Sequence, residues 1–325
     1  MDVLSALEID KAYERVKSLI LKTPLVYNET INNITKARVF FKLENLQRTG
    51  SFKLRGATNK ISQLSSEEKN KGVVAYSSGN HAQAVAYASS IYDINSTIIM
   101  PKNAPLIKIK NTKKYGADVI FYDEVKESRE KIAFEIASKE NKTLIKPYDD
   151  LDIIAGQGTV GKEIAEDLQE KNIEPDIYLC CCGGGGLIAG SSTYLKHTFP
   201  NINNFAVEPE EFNDTQVSLK NNSFMVNKKS AKSICDALLA SQPGKITFPI
   251  NKKILTGGFS VSDYEVKKTI IQLSENIKII AEPGGAVAAA ALLNNKIEIK
   301  HKTIVVMISG GNIDSNLYSR IIREF

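Results

Sequence analysis

One lysine in this chain lies where a lysine can do covalent chemistry. Lys53 follows a glycine and a serine in the segment Thr-Gly-Ser-Phe-Lys-Leu-Arg-Gly-Ala, residues 49–57, and the pattern predicts that it occupies the first turn of a helix. The positive end of a helix dipole disfavours the ammonium form of lysine and attracts a phosphate group. A neutral lysine amine forms an imine with an aldehyde cofactor. Lys53 is therefore the candidate nucleophile; a solvated surface lysine is the alternative.

Two glycine clusters follow apolar runs that are typical of buried strands. Four consecutive glycines at residues 183–186 come after the run 177–182, and Ser-Gly-Gly-Asn at residues 309–312 comes after the run 303–308. Consecutive glycines permit positive φ and let successive backbone N–H groups converge on one anion. The first cluster therefore predicts a strand, an anion-binding turn and a helix. A tight turn without a ligand is the alternative for either cluster taken alone.

Together these segments resemble the fold-type II pyridoxal-phosphate enzymes, the tryptophan-synthase-β-like family. A loop with the sequence Ser-Ser-Gly-Asn, residues 77–80, lies between them in the family's order. Within that family the chain looks most like eukaryotic serine racemase and the serine and threonine dehydratases. The resemblance runs from about Thr23 to the last predicted strand. It implies pyridoxal 5'-phosphate as the cofactor and an amino acid, serine, as the substrate.

The resemblance implies a role for each motif. Lys53 would carry the cofactor and take the α-proton on one face of the substrate, and Ser78 would be the second catalytic residue. The residues expected around the cofactor, besides Lys53, are Phe52, Asn80, Gly183, Gly184, Gly185, Gly186 and Ser309. The residues expected around the substrate are Ser77, Ser78, Asn80 and His81.

Ser78 distinguishes two activities. Dehydratases of the family usually carry alanine at this position, whereas serine racemases carry serine. Racemisation needs a proton donor and acceptor on each face of a planar carbanion, and Lys53 serves only one face. A loop serine that bonds its own backbone is the alternative. The resemblance thus implies interconversion of L- and D-serine, with elimination of water to pyruvate and ammonia as a second activity.

Two other functions stay open at this point. A dehydratase of threonine, serine or 3-hydroxyaspartate would keep Ser78 without using it for racemisation. Ala237, where the family pattern has glycine, leaves the substrate preference open. The non-enzymatic alternative is a catalytically silent amino-acid-binding relative, which the intact Lys53, glycine loop and Ser309 argue against.

The acidic loop after a predicted strand is a candidate metal site. Glu208 ends that strand, and Asp214 follows six residues later. Serine racemases place a divalent cation between this glutamate, this aspartate and an intervening backbone carbonyl, here that of Phe212. Oxygen ligands suit Mg²⁺ or Ca²⁺ and not zinc. The resemblance therefore implies a structural cation away from Lys53, with a solvated acidic loop as the alternative.

Strand-like and helix-like segments alternate along the chain, which predicts an α/β fold with parallel sheets and helices on both faces. Two of the predicted helices span residues 126–139 and 158–168. The resemblance implies two such domains. The large cofactor-binding domain would comprise residues 1–71 and 148–325, and the small domain residues 72–147.

Composition bounds the remaining classes. The net charge is +5 over 325 residues, and lysines alternate with acidic residues, so nucleic-acid binding is not expected. The sequence contains no apolar run of about 18 residues, so no membrane span is expected. The four cysteines, three of them consecutive at residues 180–182, fit neither a disulfide framework nor a zinc spacing. A reducing compartment, the cytoplasm, is therefore expected.

The two ends of the chain carry further expectations. Residues 1–5 lack a basic region followed by an apolar core, so no signal peptide is expected. The chain stops at residue 325, so the regulatory domain of longer threonine dehydratases, and inhibition by isoleucine, are not expected. The resemblance implies a homodimer. Whether a nucleotide acts as an effector is not readable from the sequence.

Overall fold

The computed structural model describes residues 4–325. Met1, Asp2 and Val3, on which the expectation about a signal peptide partly rests, lie outside the described residues. The strands of the described chain are β1 (Leu25–Tyr27), β2 (Arg38–Leu43), β3 (Val73–Tyr76), β4 (Ser96–Pro101), β5 (Asp118–Tyr122), β6 (Thr143–Leu144), β7 (Ile177–Cys181), β8 (Asn203–Pro209), β9 (Gly257–Val261) and β10 (Thr303–Ile308).

These strands form two separate sheets. The six-stranded sheet has the order β1-β2-β10-β7-β8-β9, and the four-stranded sheet has the order β5-β4-β3-β6. Every neighbouring pair is parallel except β1 with β2. The predicted α/β class with parallel sheets is therefore confirmed. The antiparallel edge was not predicted; residues 28–37, which join β1 to β2, are fewer than the dozen or so that a parallel crossover needs.

Helices alternate with the strands along most of the chain. They are α1 (Ala6–Val16), α2 (Glu29–Thr35), α3 (Lys53–Ser62), α4 (Ser66–Lys71), α5 (Asn80–Ile91), α6 (Leu106–Lys114), α7 (Arg129–Glu140), α8 (Leu151–Gln169), α9 (Gly186–Thr198), α10 (Asp214–Asn221), α11 (Thr247–Ile254), α12 (Asp263–Asn276), α13 (Pro283–Leu293) and α14 (Ser315–Glu324).

Two predicted helix starts are wrong, and a capping side chain explains each observed one. The helix predicted from residue 158 begins at Leu151, because the carboxylate of Asp150 accepts the N–H groups of the first turn. The helix predicted from residue 126 begins only at Arg129, after Ser128 caps it. Helix α3 begins at Lys53, as predicted for the lysine segment.

A buried ionic network fastens helix α3 to the six-stranded sheet. Arg55, which is fully buried, lies 2.7 Å from both Glu44 and Glu163. Glu163 also lies 2.7 Å from the buried ammonium of Lys42 on β2. Breaking such a network by removing one partner costs several kcal/mol, because a buried charge is left without compensation. The network therefore fixes the helix that presents Lys53.

The apolar runs before the two glycine clusters form the centre of the six-stranded sheet. All of β7 and nearly all of β10 are buried. The four cysteines are buried and free, including the three at residues 180–182. Within residues 4–325, no helix is long and apolar enough to cross a bilayer.

Candidate active site

The predicted cofactor and substrate residues come together around one cavity of about 860 Å³. The cavity lies at the carboxyl ends of parallel strands, where ligands bind in open α/β sheets. Its walls come from segments on both sheets. The predicted residues among those that line it are Phe52, Lys53, Ser77, Ser78, Asn80, His81, Gly183, Gly184, Gly185, Gly186 and Ser309.

Backbone contacts between distant segments position Lys53. Ser51 forms an isolated antiparallel bridge with Gly310, and the N–H of Phe52 donates to the carbonyl of Ser309 at 3.1 Å. Gly50 precedes the bridge with a positive φ of 73°, a conformation that favours glycine. The lysine segment is therefore held directly against the Ser-Gly-Gly-Asn turn after β10.

The amine of Lys53 lies in an environment that disfavours its charge. Its Nζ donates to the carbonyl of Pro147 at 2.6 Å and lies 5.2 Å from the ring centroid of Phe52. Burial lowers the pKa of Lys53 from 10.5 to about 8. Roughly a tenth of the amine is therefore neutral at pH 7, far more than for an exposed lysine, and the neutral form is the one that a nucleophile or a base requires.

The two serines of the loop at residues 77–80 make different contacts. The hydroxyl of Ser77 accepts the N–H of Gly79 at 3.0 Å, a bond within the loop. The hydroxyl of Ser78 instead donates to the carbonyl of Asp236 at 3.4 Å. Ser78 thus makes no bond to its own loop among the described contacts. The alternative for Ser78 was a hydrogen bond to the backbone of its own loop, and it is Ser77 that makes such a bond.

Asn80 is held by side chains on both sides. Its amide nitrogen donates to the carboxylate of Glu282, and its amide oxygen accepts from the side chain of Asn312 at 2.9 Å. An amide nitrogen carries two N–H groups, so one remains for a ligand. Glu282 is itself buried.

His81 is neutral in this environment. Its ring Nε2 lies 2.9 Å from the carbonyl of Ile145, so Nε2 is the protonated nitrogen and Nδ1 is an acceptor. Burial lowers the pKa of His81 to about 3, and the nearby Lys53 adds to the effect. The Nδ1 atom is buried without a partner among the described residues. His81 can accept a hydrogen bond but cannot supply a cation.

The glycine loop at residues 183–186 is shaped by side chains that sequence reasoning missed. Thr247 donates to the carbonyl of Gly184 at 2.6 Å, and Asn251 donates to the carbonyl of Gly185 at 3.3 Å. These bonds engage the loop carbonyls and leave its N–H groups at the start of α9 for an anion. A Cβ on Gly184 would collide with the ring of Tyr148, so this position needs glycine.

No local pattern marks the missed residues in the sequence. Thr247 and Asn251 lie on α11, more than 60 positions beyond the loop that they contact. Arg129 also lines the cavity, with its guanidinium 5.6 Å from the ring centroid of Tyr76. Lys108, one of several lysines on α6, is 1% exposed, although its helix reads as a solvated basic face.

The predicted metal ligands lie apart from the cavity of Lys53. Glu208 accepts backbone N–H bonds from Thr215 at 2.9 Å and Gln216 at 2.7 Å. Asp214 accepts from Asn227 through one oxygen, and its other oxygen is buried without a partner in the described structure. Burial raises the pKa of Asp214 to about 7, and burial together with Asp214 raises that of Glu208 well above its usual value.

The predicted cation set contains two carboxylates and one carbonyl. No group of three His, Cys, Asp or Glu side chains suited to a metal occurs within residues 4–325. The metal therefore stays a prediction.

Ala237, the departure from the family pattern, lines the cavity, and its methyl group would lie 3.1 Å from a Cβ placed on Gly284.

Comparison with known proteins identifies the family. A family model described as pyridoxal-phosphate dependent enzyme matches residues 16–310. A serine racemase from Schizosaccharomyces pombe is 40% identical over 317 residues, 98% of this chain and 97% of the relative. An L-threo-3-hydroxyaspartate ammonia-lyase from Saccharomyces cerevisiae is 39% identical over 311 residues, 96% of this chain and 94% of the relative.

A solved structure agrees with these relatives. The crystal structure of a serine racemase from Dictyostelium discoideum superposes with a TM-score of 0.88 at 37% identity, covering 96% of this chain and 100% of that one. The cavity supplies a buried amine of lowered pKa and an anion-binding glycine turn, which fit an aldehyde cofactor with a phosphate. This chain therefore belongs to the family of pyridoxal-phosphate-dependent enzymes, and its relatives include both serine racemases and ammonia-lyases.

Proposed function

We propose that this enzyme interconverts L- and D-serine and, as a second activity, eliminates water from serine to give pyruvate and ammonia. The observation that carries the proposal is the position of Ser78. Its hydroxyl lines the same cavity as the amine of Lys53 and is not engaged by its own loop. Two proton-exchanging groups in one cavity are what inversion at Cα requires.

The residues of the cavity fit pyridoxal phosphate. The N–H groups of the glycine loop at residues 183–186 would hold the phosphate, Asn80 would reach the phenolic oxygen through its free N–H, and Ser309 would face the ring nitrogen. Lys53 would supply the covalent link. When bound, the cofactor supplies an electron-withdrawing ring that stabilises the negative charge left on Cα after a proton is removed.

Proton transfer at Cα falls to two residues. Lys53, with its pKa lowered to about 8, takes or returns the α-proton on one face. Ser78 does so on the opposite face. Elimination from L-serine needs only Lys53, because the α-proton leaves on its side and the β-hydroxyl departs. Racemisation needs both residues.

The loop at residues 77–80 would receive the substrate carboxylate. Helix α5 begins at Asn80, so the first N–H groups of this helix lack partners within it. The hydroxyl of Ser77 accepts within the loop and keeps its own hydrogen for a carboxylate oxygen. The neutral Nδ1 of His81 would accept from the substrate or from an ordered water.

A second candidate is elimination from a substrate with two carboxylates, such as 3-hydroxyaspartate. It is favoured by Arg129, which lines the cavity with Tyr76 and Tyr148 and whose guanidinium lies 2.9 Å from Glu130. A guanidinium suits recognition of a second carboxylate. A kcat/KM for 3-hydroxyaspartate above that for serine would favour this candidate. A catalytically silent binding protein is disfavoured, because binding alone does not require a buried lysine of lowered pKa.

A divalent cation, Mg²⁺ or Ca²⁺, is proposed at Glu208, Asp214 and the carbonyl of Phe212. The supporting observation is the buried oxygen of Asp214 that lacks a partner, beside a second buried carboxylate. Neighbouring buried carboxylates raise each other's pKa by repulsion, and a proton or a cation bound between them relieves that repulsion. An all-oxygen set fits a hard cation. The cation would stabilise the fold and take no part in the reaction.

Residues 72–147 are proposed to form a small domain inserted into a large one, residues 1–71 and 148–325. The four-stranded sheet takes all its strands from within the inserted segment, and the six-stranded sheet takes its strands from outside it. The cavity has walls from both segments. Interfaces of this kind permit closure on a substrate.

The glycine loop generates a prediction for cofactor affinity. Thr247→Val removes the bond to the carbonyl of Gly184 while keeping the side-chain shape. The carbonyl would then keep only the longer bond from the N–H of Gly244 at 3.3 Å. Loss of one buried hydrogen bond costs about 0.5–1.5 kcal/mol, so the Kd for pyridoxal phosphate should rise severalfold, up to roughly tenfold. Fluorescence titration of the cofactor-free protein measures it. The control Thr193→Val removes a hydroxyl on α9 that bonds only its own helix, and equal Kd values for the two variants would contradict the role of Thr247.

The two-face assignment generates the second prediction. In Ser78→Ala, D-serine formation from L-serine should fall at least roughly 100-fold, the low end for loss of a positioned acid–base group. Dehydration of L-serine should persist, because Lys53 is untouched, whereas dehydration of D-serine should collapse. Chiral chromatography and a pyruvate assay measure both.

Ser90→Ala, at the exposed end of α5, is the matched control for this variant. Equal losses of L- and D-serine elimination in Ser78→Ala would contradict the assignment and favour a binding role. Unchanged racemisation would mean that another group serves the second face.

The cation generates the third prediction. Chelation should lower the Tm by on the order of 5 °C, since a ligand at 100 times its Kd adds about 2.7 kcal/mol to stability. Asp214→Asn should abolish the response, and Glu211→Gln, at an exposed acid of the same loop, should keep it. Thermal unfolding with EDTA and with added Mg²⁺ or Ca²⁺ measures both. No response in the unaltered protein, with no metal by elemental analysis, would leave this loop without a cation.

A further inference from the structure

A buried lysine, Lys108, lies beneath the loop that carries Ser78 and Asn80. Lys108 projects from α6, and its Nζ lies 2.6 Å from Asp236 and 2.8 Å from Glu282. Only 1% of its side chain is exposed. The hydrogen bond goes to Asp236, and the contact with Glu282 is a close ion pair. Lys108 belongs to the proposed small domain and both carboxylates to the large one, so the cation joins the two.

Both carboxylate residues contact the loop directly. Glu282 accepts from the amide nitrogen of Asn80, and the carbonyl of Asp236 accepts from the hydroxyl of Ser78. The partners of Lys108 are thus the partners of the two loop residues with proposed roles at the cofactor and the substrate. Displacement of Glu282 would therefore change the hydrogen bond of Asn80, and displacement of Asp236 would change that of Ser78.

The loop backbone also packs on the lysine. A Cβ on Gly79 would overlap Cδ of Lys108 and lie 2.9 Å from its Cγ. The glycine is required because the stem of Lys108 fills the space beneath it. The lysine therefore supports the loop by packing as well as by charge.

The charges around Glu282 explain what Lys108 does. The titratable groups near its carboxylate are Lys108, Asp236 and the thiol of Cys181. Burial raises the pKa of Glu282, Asp236 raises it further, and Lys108 opposes both. The two carboxylates raise the pKa of Lys108, which keeps it cationic. Without Lys108, burial and Asp236 would raise the pKa of Glu282 unopposed, which favours its protonated form and weakens its hydrogen bond with the Asn80 amide.

We propose that Lys108 is a positioning residue that fixes the side chains of Glu282 and Asp236 beneath the loop and thereby orients Asn80 and Ser78 toward the cavity. The inference rests on the proposed role of Asn80 at the cofactor. It adds a condition that the cavity residues alone do not supply. The loop is correctly formed only when Lys108 of the proposed small domain contacts Glu282 and Asp236 of the large one.

Lys108→Met tests the proposal, because methionine keeps an unbranched stem and removes the charge. The matched control is Lys110→Met, an exposed lysine on the same helix. The Kd for pyridoxal phosphate is measured by fluorescence titration at pH 7 and pH 9, each relative to the control. Lys108→Met should raise the Kd at least roughly tenfold at pH 7, the loss of one charge-assisted contact. The defect should shrink toward pH 9, because a higher pH favours the carboxylate form of Glu282, the form that accepts the hydrogen bond from Asn80.

The double variant Lys108→Met with Glu282→Gln separates charge from packing. Glutamine cannot ionise, so the double variant has no buried carboxylate left without a counter-charge, and its amide oxygen still accepts from Asn80. The double variant should therefore bind the cofactor more tightly than Lys108→Met at pH 7 and lose the extra pH dependence. A Kd for Lys108→Met equal to that of the control would overturn the proposal. A double variant as weak as Lys108→Met at both pH values would do so too, since Lys108 would then act only by filling space under Gly79.

A readout without cofactor distinguishes failure of this proposal from failure of the assumed role of Asn80. Hydrogen exchange of the cofactor-free protein should show faster exchange over residues 77–83 in Lys108→Met, with slower exchange restored in the double variant. If Asn80→Ala leaves the Kd unchanged, the role of Asn80 at the cofactor is wrong, and the exchange data still decide whether Lys108 orders the loop. Unchanged exchange in Lys108→Met would overturn the proposal.

Discussion

Lys53 has to be buried and yet lose its proton readily, and the site depends on how the fold meets this constraint. A buried ammonium is costly, and a nearby carboxylate would remove the cost by keeping the amine charged. The amine instead contacts a neutral acceptor, the carbonyl of Pro147, and its pKa falls to about 8. The backbone bridge from Ser51 to Gly310 and the buried network of Arg55 hold the segment in place. The amine of Lys53 therefore cannot move out to solvent, where its pKa would return to the usual value.

Lys108 shows the opposite solution in the same part of the molecule. It is equally excluded from water, but two carboxylates surround it, and its pKa rises. One buried lysine is thus readily neutralised because no carboxylate lies beside it, and the other stays charged because two do. The difference lies in the partners and not in the residue type, which explains why a lysine-rich sequence gives few clues to which lysine does which task.

Local sequence patterns predicted the parts of the site that local structure determines. Lys53 does begin a helix, and the glycine runs do follow buried strands, because φ requirements and apolar runs act over a few residues. Contacts across the fold were not predictable. Pro147 lies 94 positions from Lys53, and Thr247 lies 63 from Gly184. The start of α8 was missed for another reason: Asp150 caps the helix ahead of the residues that looked helical.

The identity of the covalent lysine is the central claim, and peptide mapping after reduction tests it most directly. The enzyme loaded with pyridoxal phosphate is treated with sodium borohydride, digested and analysed by mass spectrometry. The account predicts one reduced adduct, on the peptide that contains Lys53, and none in Lys53→Ala. An adduct on Lys108 or any other lysine, or an adduct that persists in Lys53→Ala, would contradict it.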